Sequence, residues 1–367
     1  MKNVAVFFGG QSVEHDISVI TGVLTLNALN REKYNAIPVY IHTDGKWYTG
    51  ESLFDLDNFK TLRTEKLSKV MFLGGDNTLY KIKGRWVKAI CPISVGINCL
   101  HGERGEDGSL SGLTNMCSIP LASPDILSSS VSMDKAFTKT VMRGLKIKTL
   151  PSVTVKCVGE YENVKSKIKY PVIIKPVRSG SSIGIKVAKT DAELKDAINY
   201  GLKFGDRVIA EPFLKDFIEI NCACFNDGDG KVYVSELEQP VGRAEILTFS
   251  DKYENGKRIF PAKLDKELTD KIRSITKKIY QELNFSGVIR IDYLVVGETV
   301  YLNEINSVPG SLSYYLFCDT LSEFSTMLDK LISGAEKAHA KAQTFQKRYD
   351  SGVLCSFGSK GAKQKRQ

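Results

Sequence analysis

The chain has 367 residues, enough for two or three domains with cores of their own, and its 42% hydrophobic and 25% charged content is that of a globular protein. A net charge of +9 would suit nucleic acid, but six Lys or Arg against one Asp fall between Lys347 and Gln367, leaving about +4 for the rest. No apolar run reaches the roughly 18 residues of a membrane span, and Met1-Lys2-Asn3 leads into a strand with no signal-peptide pattern, so neither nucleic acid nor membrane is an expected partner and the cytoplasm is the expected location.

The apolar run Val4–Phe8 predicts a strand, closed by Gly9-Gly10. Ser12 is placed to cap a helix whose apolar positions Ile17, Ile20, Leu24 and Ala28 recur at helical spacing. A second strand is predicted over Ile37–Ile41, turning at Asp44-Gly45, and a further apolar run over 89–100 ends at His101. Strand, helix and strand in that order open a parallel sheet, so 1–131 is expected to be a Rossmann-like α/β domain. From 132 the texture changes to a helix from Met133 to about Gly144, then strands and hairpins through about 220. A β-rich stretch follows to about 307, then an amphipathic helix from Leu321 to about Lys341 with Leu321, Phe324, Leu328 and Ile332 on one face. The expected units are therefore 132–220, 221–345 and a solvated basic tail, 346–367. Of eight cysteines none forms Cys-x-x-Cys. Cys222 and Cys224 would share a strand face, and they read as buried thiols rather than as a metal pair.

Two segments carry chemistry. In residues 171–187 a strand ending at Lys175 runs into the small-residue loop Ser179-Gly180-Ser181-Ser182 and then a second strand. Small residues let backbone N–H groups crowd round phosphate oxygens, although a plain turn has the same composition. The spacing of a P-loop and the dinucleotide glycine pattern are both absent. Residues 287–295 and 299–306 read as two strands joined at Gly297-Glu298. Alternation puts Arg290 with Asp292 on one face and Glu304 with Asn306 on one face. Two carboxylates and an amide oxygen would suit Mg²⁺ better than zinc; the alternative is an Arg–Asp ion pair with Glu304 on a solvated edge.

Taken together with Gly9 to Glu14, His101 to Gly108, Ser132 to Lys135, Lys175 to Gly184, Arg290-Ile291-Asp292 and Glu304 to Gly310, the sequence resembles the D-alanine–D-alanine ligase family of ATP-grasp enzymes, from Val4 to about Leu316. The resemblance implies a mixed α/β ATP-grasp fold behind the Rossmann-like domain. The implied reaction is the ATP-dependent joining of two D-alanines through an acyl phosphate, for peptidoglycan precursor synthesis. It implies that Lys135, Lys175, Ser182 and Lys252 hold the ATP phosphates, with the Ser181 loop closing over them. Glu211, Phe213 and Leu214 would cup the adenine and Glu219 the ribose. Asp292, Glu304 and Asn306 would bind two Mg²⁺ ions, with Mn²⁺ as a substitute. Glu14 and His101 would receive the first amino acid, and Arg290 and the Gly310 N–H the acyl phosphate. Ser181 and Tyr253 would complete a set with Glu14, Tyr253 arriving on a covering loop at about 239–256. The partners implied are ATP and D-alanine, and family habit implies a homodimer.

The pattern departs from the family after Gly310. Where the family's Ser would hold the second amino acid's carboxylate stands Tyr315, so Ser313, Tyr315 and Leu316 become the residues of that pocket. D-serine as second substrate therefore stays open, as does a degenerate nucleotide-binding paralogue, while Tyr253 favours an amine nucleophile.

Overall fold

The computed structural model describes residues 1–180, 182–241, 257–357, 359 and 361. An eight-stranded sheet comes first: β1 Lys2–Gly9, β2 Tyr34–Ile41, β3 Trp47–Thr49, β4 Ser68–Leu73, β5 Asp76–Lys83, β6 Trp86–Pro92, β7 Val95–Asn98 and β8 Leu121–Ala122, in the order β6-β5-β4-β3-β2-β1-β7-β8. The expected parallel sheet accounts for β2, β1, β7 and β8. The other four strands extend it antiparallel. The run read as one element over 89–100 divides accordingly. Its first part belongs to the exposed hairpin strand β6, and its second to β7, whose residues are all buried.

From β1 the chain passes through the helix His15–Ala28 to β2 on one side, and later returns to β7 on the other. That reversal opens a crevice at the carboxyl ends of β1 and β7, the usual ligand position in an open α/β sheet. Ser12 does not cap the helix. Its hydroxyl accepts instead from the Glu14 N–H at 3.1 Å, so the first turn begins at His15. The buried face is Ile17, Val19, Val23 and Leu26, while Ile20 is exposed because both sheet and C-terminal elements take up the other sides.

A four-stranded antiparallel sheet follows, β9 Val153–Val155, β10 Val172–Pro176, β11 Lys186–Ala188 and β12 Val208–Pro212, in the order β11-β10-β12-β9. The helix Asp191–Gly201, capped by the Thr190 hydroxyl, covers it with Leu194, Ala197 and Ile198. The third sheet has the order β14-β13-β17-β18, from β13 Ile218–Asn226, β14 Val232–Val234, β17 Val288–Val296 and β18 Thr299–Asn306. β15 Gln239–Val241 and β16 Lys257–Ile259 pair separately, flanking 242–256. The expected covering loop therefore lies mostly outside the described residues, as do Ser181, Lys252 and Tyr253.

The stretch read as β-rich contains a 17-residue helix, Lys266–Glu282, capped by Asp265. It buries Ile272, Thr276, Ile279 and Tyr280 against β13 and β17, where Cys222 and Cys224 also face the core. The closing helix, Leu321–Gln343, starts at a capping box of Thr320 and Glu323. Leu321 is exposed, and the buried stripe is Phe324, Met327, Leu328, Leu331 and Ile332. That stripe joins the core of the first sheet, with Val4, Val6, Phe8, Val95 and Ile97, so the two ends of the fold share one apolar interior. Among the described residues no helix is long and apolar enough to cross a membrane.

Candidate active site

Two loops form the floor of the crevice. Glu14 follows β1 and is 7% exposed, and His101 follows β7 and is 4% exposed. The glycines on either side of Glu14 explain its setting. A Cβ on Gly102, whose φ is +71°, would stand 2.9 Å from Glu14 Oε2 and closer still to the Ser12 hydroxyl. A Cβ on Gly180 would stand 2.8 Å from the same oxygen, so the small-residue loop after β10 passes directly over the carboxylate. At Gly102 the positive φ also favours glycine, while at Gly180 a Cβ would force the Glu14 carboxylate to shift.

His101 Nε2 lies 2.9 Å from the Thr21 hydroxyl, which also accepts from the Ser311 N–H at 2.9 Å. Burial pushes the imidazole down to about 4; a bond to the Val308 backbone opposes this, and Arg290 nearby adds to it. The ring is neutral at pH 7. Glu106 behaves in the opposite sense. Burial, then the Glu14 charge, push its carboxyl up to about 8 against the bonds it accepts from Gly102 and Val308.

The wall opposite belongs to the helix Lys135–Gly144 and to β10 and β12. Asp134 caps the helix by accepting from Ala136 N–H and Phe137 N–H, and its other oxygen takes Arg207 at 2.6 Å and Arg178 at 3.1 Å. The Lys135 N–H bonds Val177 O at 3.1 Å, which ties the helix start to the end of β10. Lys135 Nζ donates to Ser179 O at 2.6 Å and sits 3.5 Å from Glu304. A cavity of about 290 Å³ opens here, lined by Lys135, Lys175, Ser182, Glu211, Phe213, Leu214, Glu219 and Glu304 among others. Every described residue that the sequence assigns to ATP is in that lining.

Glu211 lines the cavity with the others and has ion-pair partners the sequence did not announce. Its carboxylate is turned between two lysines, Lys139 at 2.6 Å and Lys175 at 2.8 Å, and is nearly inaccessible. Burial alone would raise its pKa, but the two lysine charges and bonds outweigh that and hold it down at about 2. Lys139 also donates to Leu150 O at 3.0 Å. Sequence reasoning missed Lys139, although it stands one helical turn after Lys135. It missed Asn303 too. The β17–β18 register shifts between Asp292 and Tyr293, leaving Asn303 as the extra residue, and its Oδ1 accepts from Lys175 at 3.1 Å.

The two strands pair as neighbours, and beyond the bulge Asp292 lies opposite Glu304 and Arg290 opposite Asn306. Arg290 forks onto Asp292, Nε to Oδ1 at 2.7 Å and Nη2 to Oδ2 at 2.9 Å, and Asn306 Nδ2 donates to Oδ2 at 3.1 Å. The ion pair weighed from sequence is thus present. Glu304 is not on a solvated edge; its side chain is 19% exposed beside Lys135. Among the described residues no group of three or more His, Cys, Asp or Glu gathers as a metal cluster.

Beyond Gly310, residues Ser311, Leu312 and Ser313 have φ of 51°, 51° and 48°, one turn of left-handed backbone. Each such non-glycine residue costs about 1–2 kcal/mol, a strain typical of functional sites. The turn buries Leu312, Ser313 and Leu316, and the Ser313 hydroxyl has no hydrogen-bond partner among the described residues. Tyr315 bonds Arg290 through its hydroxyl, and the Arg258 guanidinium lies 4.8 Å above its ring. Burial raises the phenol's pKa.

The chain is similar to known proteins over most of its length. The profile described as D-ala D-ala ligase N-terminus matches residues 3–124, and that described as D-ala D-ala ligase C-terminus matches 149–334. The D-alanine--D-alanine ligase of Thermosipho africanus is 39% identical over 356 residues, covering 92% of this chain and 94% of that one. The crystal structure of D-alanine-D-alanine ligase from Helicobacter pylori is 29% identical with a TM-score of 0.77, covering 91% of this chain and 98% of that one. VanG D-Ala:D-Ser ligase from Enterococcus faecalis is 28% identical with a TM-score of 0.78, over 91% and 99%. With both profiles matched in order and the glycine-flanked Glu14, the lysine-lined cavity and the β17–β18 carboxylates in place, the chain belongs to the D-alanine–D-alanine ligase family.

Proposed function

We propose that the chain joins two molecules of D-alanine at the expense of ATP, supplying the dipeptide for peptidoglycan precursors in the cytoplasm. The observation that carries this reading is the meeting of two features. A cavity lined by Lys135 and Lys175 opens on one side of the phosphate loop, and Glu14 lies against Gly180 of that loop. An ammonium held at Glu14 would place its own carboxylate toward the phosphates. A carboxylate is a poor electrophile. Its oxygen attacks the γ-phosphorus, ADP leaves, and the acyl phosphate gains a leaving group. The amine of the second amino acid then attacks the acyl carbon, losing a proton and expelling inorganic phosphate.

In this reading Lys135 and Lys175 hold the phosphates, Phe213, Leu214 and Glu219 the nucleoside, and Ser182 the loop. Ser181, Lys252 and Tyr253 remain proposals of the sequence. Glu211 acts as a strut that fixes Lys175. Arg290 and the Gly310 N–H face the acyl phosphate, and the Ser313 hydroxyl, Tyr315 and Leu316 the second amino acid. Asp292 and Glu304 in register, with the Asn306 carboxamide, form an all-oxygen donor set that fits magnesium or manganese. Arg290 and Lys135 neutralise those carboxylates in this structure. Bound ions would supply charge neutralisation on the phosphates.

The test is phosphate release with D-alanine alone, then with D-serine or D-lactate added, and the product weighed by mass spectrometry. Saturable turnover on D-alanine alone with the dipeptide formed is the expected result. Turnover only with a mixed pair would move the reading to the D-Ala:D-Ser type, and no turnover with any pair would sink it.

A homodimer is the expected assembly, and edge strand β6 suits it. Trp86 is 79% exposed, with Val87 and Ile90 beside it on an unpaired sheet edge. Sedimentation should find a dimer that Trp86→Lys dissociates; a wild-type monomer would overturn this.

A further inference from the structure

Glu106 has no part in the chemistry above, yet its carboxylate bonds both sides of the crevice. Oε2 accepts from the Gly102 N–H at 2.9 Å and Oε1 from the Val308 N–H at 3.1 Å. Its backbone carbonyl accepts from the Ser307 hydroxyl at 3.0 Å. Gly102 lies against Glu14, on the loop that follows β7. Val308 leads two residues later to Gly310 and the left-handed turn, at the end of β18. These loops are about 200 residues apart in sequence, with |i−j| of 202 for the Val308 bond. One side chain therefore spaces the loop that would seat the first amino acid from the turn that would seat the second.

We propose that Glu106 is a positioning residue for amide-bond formation: it fixes the separation of the two amino-acid subsites and leaves ATP binding untouched. The inference rests on the ligase reading. Attack of an amine on an acyl phosphate needs the reacting atoms at near-attack distance, and a displacement of about 1 Å can cost on the order of a hundredfold. The phosphates are gripped from the other wall, by lysines on the helix Lys135–Gly144 and on β10. Loosening the Gly102–Glu106–Val308 link should therefore spare the first half-reaction and impair the second.

Two variants separate this from a structural role. Glu106→Gln keeps the size but presents one carbonyl oxygen and one amide N–H₂ group to two N–H donors, so one bond is lost. Glu106→Asp keeps both acceptors on a shorter arm. For wild type and both variants, two products are measured from D-alanine and ATP. One is the dipeptide. The other is D-alanyl hydroxamate, formed when hydroxylamine replaces the second amino acid and needs no seat of its own. In Glu106→Gln, dipeptide formation should fall about 10- to 100-fold, with a raised KM for the second D-alanine. Hydroxamate should stay within about threefold and the KM for ATP within about twofold of wild type, while Glu106→Asp recovers part of the dipeptide rate. A parallel fall of both products in both variants, with a lowered melting temperature, would make Glu106 merely structural and overturn the proposal, as would unchanged dipeptide formation. A wild type that makes neither product would overturn the ligase reading and this inference with it.

Discussion

Replacing Glu304 with Gln is expected to lower ATP turnover roughly a thousandfold while leaving the fold intact. The substitution preserves shape and removes one of the two carboxylates that face each other across β17 and β18. Asp292 cannot stand in for it, because the proposed donor set already uses its carboxylate, which the Arg290 fork and the Asn306 amide hold in place. Glu304 is partly accessible, and Lys135, 3.5 Å away, keeps Ser179 O as partner, so stability should hardly move. ADP release followed beside a thermal melt checks both halves. Undiminished turnover with an unchanged melt would remove Glu304 from the metal assignment.

The second large effect concerns stability. Lys139→Met should cost about 3–5 kcal/mol, since it leaves Glu211 buried with one of its two lysines gone. The sign with pH follows from the folded carboxyl titrating at about 2 against an ordinary 4.5. The folded state takes up that proton less readily, so the contribution is complete above about pH 4.5 and is lost as pH falls toward 2. His101 acts in the same sense in a higher window. Its imidazole, held at about 4 against an ordinary 6.5, withdraws stability as pH falls through that interval. Urea unfolding midpoints at pH 7, 5 and 3.5 measure these effects. In Lys139→Met the acid loss from Glu211 should be smaller and complete at a higher pH, because the folded carboxyl then titrates closer to its ordinary value. A midpoint at pH 7 equal to wild type would mean that Lys175 alone satisfies the carboxylate.

The parts of this molecule legible in its sequence are those that local pattern encodes. Alternation placed Arg290 with Asp292 and Glu304 with Asn306 on their faces, but the bulge at Asn303, which no local pattern marks, sets Asp292 opposite Glu304. The same kind of reading failed at Lys266–Glu282, where Asp265 and the spacing of Ile272, Ile279 and Tyr280 were available but β strands on both sides drew the whole stretch into one class. It also failed at Ser311–Ser313, for no glycine or asparagine marks a left-handed turn there and tertiary contacts impose it. The Lys139–Glu211–Lys175 and Gly102–Glu106–Val308 links join distant segments. No local periodicity announces such pairs, so they enter only with the fold.

The closing helix has a further consequence, for the order in which the molecule can be built. Its stripe from Phe324 to Ile332 completes the interior that begins with Val4 and Phe8. At about 5–20 residues per second, synthesis needs roughly 15–60 s to travel from β1 to that helix. During that interval the first sheet exists on the ribosome without its apolar cover, as a half-built surface open to chaperones and to neighbouring chains. The first sheet is thus finished well after its own strands are made, and its folding is tied to a helix translated long after them.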